Sequence, residues 1–124
     1  MVVDTSVLIE HIRAKDKLST TLYHLPNNEK FFVSSVSLYE LYMGATDKEK
    51  EHDVREFTKY LSILPFTEVV AFKAAQIYNQ LKKQNNLIEF RDIFIAATCI
   101  VNDLPLVTLN KKHFKRIIGL NIYS

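Results

Sequence analysis

Four short segments of this chain each end a hydrophobic run with a polar side chain, and three of those side chains are carboxylates. They are Asp4 in VVDTSVLIE, Glu40 in VSSVSLYELYMGA, Asp92 in IEFRDIFIAAT and Asn110 in LVTLNKKHF. The four lie far apart in sequence, so only the fold can gather them. Gathered, they make an acidic pocket of hard oxygen donors suited to Mg2+ or Mn2+. Each carboxylate also has a structural reading. Asp4 can cap a helix that begins near Ser6. Glu40 completes a capping box with Ser37, and its charge is favourable near a helix N-terminus. Asp92 stands directly before an apolar helix, where it either caps or, if buried, requires a cation or several hydrogen bonds. Ser6 and Thr108 carry hydroxyls able to orient a carboxylate or a bound water, or else to bond the local backbone.

The elements that must position these groups alternate between strand and helix. Val2 and Val3 read as a short buried strand, followed by a helix over 6–13. A second helix is predicted over 18–25, ended by Pro26 and the Asn27–Asn28 turn. Residues 31–34 are aromatic and β-branched enough for a strand. The capping box then opens a helix that runs to Gly44, and 47–61 keeps Val54, Phe57 and Leu61 at helical spacing. Ile63 and Leu64 form a short strand before a helix over 68–84, with Val69, Phe72, Ile77 and Leu81 on its apolar side. Asp92 opens a further helix, stopped by Asn102-Asp103 and Pro105. Leu106 to Thr108 form a strand, 111–116 a short basic helix, and 120–123 a final edge strand.

This order predicts an α/β fold, a three-layer Rossmann-like domain around a mostly parallel central sheet. Such folds bind ligands outside the carboxyl ends of their strands. Asp4 and Asn110 follow predicted strands, while Glu40 and Asp92 sit in first turns of helices, so all four can face one edge. The 124 residues suffice for a single domain, 1–124. A formal net charge of +2 does not advertise nucleic-acid binding, although local patches remain able to do it. One cysteine, Cys99, excludes an internal disulfide framework and fits a reducing, cytoplasmic setting. No leader-like segment opens the chain and no uncharged run approaches ~18 apolar residues, so no membrane partner is expected.

The four segments, in this order and over essentially the whole length, resemble a PIN-domain ribonuclease, most closely a VapC-type toxin of a toxin–antitoxin pair. The resemblance implies a metal-dependent endoribonuclease with Mg2+ or Mn2+ as cofactor. It matches the family's carboxylates to Asp4, Glu40 and Asp92 as metal ligands, and its further Asp or Asn to Asn110. Relatives often carry another Asp where this chain has His113, which makes that corner less acidic. Glu89 can return negative charge at the rim. The partners so implied are an RNA substrate, a cognate VapB-type antitoxin and a second copy of the chain, with a homodimer inside a toxin–antitoxin hetero-oligomer as the fullest assembly.

Around the pocket, Lys111, Lys112, Lys115 and Arg116 are candidates for RNA phosphates, or else a solvated helix face. Arg91 is placed to touch RNA or an antitoxin. Tyr39, Tyr42, Met43, Phe57 and Tyr60 are candidate partner contacts, though their helical spacing equally serves a core. Two rival functions remain open: an RNA-maturation nuclease that is not a toxin, and a non-catalytic binding member of the same fold.

Overall fold

The computed structural model describes residues 1–124. Four short strands form one parallel sheet in the order β3-β2-β1-β4. They are β1 (Val2–Val3), β2 (Phe32–Ser34), β3 (Ser62–Leu64) and β4 (Leu106–Val107). Val2 lies opposite both Phe32 and Leu106, so the first strand occupies the middle of the sheet. Helices α1 (Thr5–Arg13), α2 (Ser35–Gly44), α3 (Lys48–Thr58), α4 (Glu68–Lys83), α5 (Phe90–Val101) and α6 (Lys111–Phe114) complete the chain. The expected α/β architecture with a parallel sheet is therefore present.

Strand alternation splits the core in two. Val2 and Leu106 point to a cluster built from α4, α5, Phe114 and Ile117. Val3, Val33 and Val107 point to the opposite cluster, with Val7, Leu8, Leu41 and Val54. Both faces of β1 and β4 are thus covered, which is why these strands are apolar at every position, while Ile63 on the edge strand β3 is exposed. Cys99 lies inside the first cluster, where burial pushes its thiol up to about 12. It is a small core hydrophobe.

Several boundaries differ from the sequence expectation, each for a local reason. The helix expected over 18–25 is only a 3-10 turn, Lys17–Ser19, followed by further turns. Polar side chains there bond the backbone instead: Asp16 accepts from the Leu18 amide and Glu10 from the Thr21 amide. The capping box from Ser37 to Glu40 does not form. α2 begins earlier, and Ser34 at the end of β2 accepts from the Ser37 amide at 3.0 Å. The buried face of α4 is Val70, Ala74, Ile77 and Leu81, while Val69 and Phe72 are exposed. Two of the four expected apolar positions were therefore on the wrong side of the helix. The expected edge strand over 120–123 is reduced to one bridge, Ile122 beside Leu106, and α6 stops at Phe114. Asn85 and Asp103 end α4 and α5 in the left-handed region, with φ of 51° and 52°.

The cap assignment has a measurable consequence. Ser34→Ala should lower unfolding stability by about 1 kcal/mol, the usual cost of losing an N-cap. Ser37→Ala, which leaves that bond intact, should cost less in the same denaturant titration.

Candidate active site

The sheet reverses direction of growth between β1 and β4, since β2 and β3 extend one way and β4 the other. A crevice at that switch point is where ligands bind in open α/β sheets. Asp4 leaves the end of β1 there, and Thr108 the end of β4. Although Asp4 occupies the cap position of α1, its side chain makes no capping bond. Its Oδ2 instead accepts from Ser6 Oγ at 2.7 Å and from Thr108 Oγ1 at 2.8 Å. Two side chains expected to orient this carboxylate do so. Asp4 is 2% exposed, yet no buried side-chain oxygen lacks a partner, so its unbonded Oδ1 opens to solvent.

Glu40 arrives from α2, freed from capping because Ser34 does that work. Its Oε1 accepts from Thr5 Oγ1 at 2.9 Å, and its Oε2 lies 3.4 Å from Arg91 Nη1. Thr5, a less certain candidate than Ser6 from the sequence, bonds a carboxylate 35 residues away, which its adjacency to Asp4 does not reveal. Arg91 also reaches Glu89 at 3.6 Å, so in this structure it neutralises carboxylates rather than standing free at the rim.

Asp92 enters from the first turn of α5. Burial and then the charge of Asp4 push its carboxyl up to about 6. Glu40 and Glu89 add smaller upward pushes, while His113 pulls the other way. Asp4 and Glu40, distant in sequence, thus act on Asp92 by their like charge, as does Glu89 three residues before it. His113 Nδ1 is 3.7 Å from Asp92 Oδ2. Asn110 is exposed and its side chain forms no cap; its backbone amide donates to Thr108 Oγ1 at 3.0 Å. Lys111, Lys112 and Lys115 are exposed, and neither they nor Arg116 pair with a carboxylate.

The donor set of the edge is all oxygen from the three carboxylates, which suits a hard divalent cation. The arrangement is open: no three His, Cys, Asp or Glu side chains close on one point. Of the suggested partner contacts, Tyr39, Met43 and Tyr60 are exposed. Tyr42 and Phe57 instead pack into the second core cluster, and Phe57 stacks on His11 with centroids 5.3 Å apart. A separate cleft of about 210 Å³ is lined by apolar Ile9, Ile12, Leu41 and Val54 and by charged Arg13, Glu40, Lys50 and Asp53. No helix is long and apolar enough to cross a membrane.

A parallel α/β sheet with carboxylates gathered at its switch point defines the class, and the chain belongs to the PIN-domain family, whose model matches residues 1–120. Within that family it is closely related to VapC-type toxins of toxin–antitoxin systems. It is 34% identical to "Ribonuclease VapC1" of Methanocaldococcus jannaschii over 126 residues, covering 100% of this chain and 87% of that protein. It is 33% identical to "Ribonuclease VapC" of Rickettsia bellii, covering 100% and 95%. Among solved structures, DNA-bound VapBC from Salmonella typhimurium superposes with a TM-score of 0.88 at 27% identity, covering 98% of this chain and 95% of that one. FitAcB from Neisseria gonorrhoeae gives 0.80 at 25% identity, covering 99% and 96%.

The crowding of charge around Asp92 predicts a stability cost. Asp92 ionises near 3.8 when unconstrained and near 6 in the folded chain. Between those values the folded chain holds the extra proton, so ionisation erodes stability as pH rises through the window, and fully above it. Asp92→Asn should therefore stabilise the protein at pH 7.5 by about 1–2 kcal/mol, several degrees in Tm. The gain should shrink as pH is lowered towards 4 in calorimetric scans.

Proposed function

We propose that this protein is a magnesium- or manganese-dependent endoribonuclease and the toxin of a type II toxin–antitoxin pair. The observation that carries the reading is the assembly of Asp4, Glu40 and Asp92 from three distant elements at the switch point of the sheet. Their mutual repulsion is what a hard cation relieves. Asp4, Glu40 and Asp92 would hold it, with Asn110 at the fourth corner. When bound, such an ion supplies an activated water and charge stabilisation for phosphodiester hydrolysis.

The chain's own residues do the positioning. Ser6 and Thr108 fix one oxygen of Asp4 and leave the other facing solvent. Thr5 fixes one oxygen of Glu40. Arg91 lies on Glu40 and Glu89, beside the carboxylates that would hold the ion. Asp92 must be ionised to serve, so a pKa of about 6 makes the site weaker in acid. The cationic segment 111–116 offsets the repulsion between an acidic centre and a polyanion.

The partner we assign to the cleft of Ile9, Ile12, Leu41 and Val54, which Arg13, Lys50 and Asp53 also line, is an amphipathic segment of a VapB-type antitoxin, because the cleft shares Glu40 with the carboxylate edge. VapBC and FitAB complexes among the structural relatives support such a pairing. Self-association into a homodimer fits the exposed apolar residues Ile63, Phe66, Val69 and Phe72.

The test is cleavage of a mixed RNA pool with Mg2+ or Mn2+. Asp4→Asn and Asp92→Asn should each lower the rate at least about a hundredfold, in keeping with the loss of several kcal/mol of charge stabilisation. Thr5→Val should lower it about tenfold or more, as loss of an orienting partner does. EDTA should abolish it. Mn2+ should also raise the Tm of the parent and not that of Asp92→Asn. A folded parent that neither cleaves RNA nor gains Tm with either metal is instead a non-catalytic member of the fold.

A further inference from the structure

Glu40 differs from the other two carboxylates in what already holds it. Its Oε1 accepts from Thr5 Oγ1 at 2.9 Å, and its Oε2 lies 3.4 Å from Arg91 Nη1. Asp4 is held by neutral hydroxyls, those of Ser6 and Thr108. Asp92 faces His113, a cation only when protonated. A guanidinium stays charged in proteins. Glu40 therefore has a permanent cation beside it, and both of its oxygens are engaged.

Helix α5 gains nothing from a cation at position 91. Arg91 lies in the first turn of α5, where the helix macrodipole favours negative charge. Its side chain is partly exposed, so its ion pairs add little to stability. Its Nη2 stands 3.6 Å from Glu89 Oε2, and Glu89, at the cap position of α5, makes no capping bond. The guanidinium is thus suspended between two carboxylates, one of which belongs to the acidic edge.

A divalent ion held by Asp4, Glu40 and Asp92 needs an oxygen of Glu40, and one of the two stands against a fixed positive charge. Two cations at one carboxylate repel each other. At a partly buried edge, solvent screens that repulsion less than at an open surface. Loss of Arg91 would not set Glu40 adrift, because Thr5 anchors its other oxygen. Charge rather than orientation therefore decides the sign of the effect.

We propose that Arg91 is a built-in counter-cation that competes with the divalent ion for Glu40, so that the site fills only at a higher metal concentration than its carboxylates alone require. The assignment rests on the metal-dependent reading above and adds to it the residue that sets the affinity.

Calorimetric titration of Mn2+ into chelator-treated protein near neutral pH tests this without cleavage. Arg91→Gln and Arg91→Met both remove the charge, and each should lower the Kd for Mn2+ about tenfold. Arg91→Lys keeps the charge and should stay within about threefold of the parent. The rise in Tm at a fixed Mn2+ concentration should follow the same order, largest in the two neutral variants. A Kd that both neutral variants leave unchanged or raise overturns the proposal while the metal site stands. Tightening of equal size in Arg91→Lys overturns it as well. Should neither the parent nor any of the variants bind Mn2+, the metal-dependent reading fails and the proposal falls with it. Saturable binding by the neutral variants, at concentrations where the parent shows none, supports both.

Discussion

Asp92 shares one edge of the molecule with Asp4 and Glu40, whose like charges disfavour its ionisation. Folding is driven by the two apolar clusters on either side of the sheet, which fix α1, α2 and α5 against it. The carboxylates ride on those elements, so folding carries the electrostatic penalty of bringing them to one edge. Hydroxyls absorb part of the penalty: Ser6 and Thr108 on Asp4, Thr5 on Glu40. Arg91 and His113 absorb more. What remains appears in the carboxyl of Asp92, pushed up to about 6. An unrelieved electrostatic penalty in an otherwise well-satisfied interior is the mark of a site kept for something other than stability.

The topology explains why so few residues suffice. Placing the first strand in the middle of a four-stranded parallel sheet puts its carboxyl end beside those of β2 and β4. Asp4 then needs no long loop to meet residues from elsewhere; the strand ends deliver them. The cleft lined by Ile9, Ile12, Leu41 and Val54, with Arg13, Lys50 and Asp53, shares Glu40 with this edge.

Much of this was legible in the residues. Short apolar strands with intervening amphipathic helices identified the parallel sheet, and the Asn and Asp stops of α4 and α5 fell where the left-handed turns are. Three of the four polar ends of hydrophobic runs, Asp4, Glu40 and Asp92, come to one edge of the sheet, while Asn110 stays exposed. What failed was detail decided by competition. Ser34 and Ser37 are chemically equivalent as caps, and only the end of β2 chooses between them. On α4, Val69 and Val70 are the same residue type one step apart; which faces inward depends on where α5 lies. At 18–25, side chains from Asp16 and Glu10 capture amides that helical pattern alone assigns to the backbone. The contacts of Thr5 and Arg91 with Glu40 are long-range pairings, which a single sequence does not reveal.

The bond from Thr108 to Asp4 spans 104 positions of the chain. Its effect is temporal. During synthesis β1 is made before its neighbour β4. The carboxylate of Asp4 lacks its second hydroxyl, and the crevice its far wall, until Thr108 has emerged. A chain cut short before β4 thus displays the acidic residues without the edge that organises them.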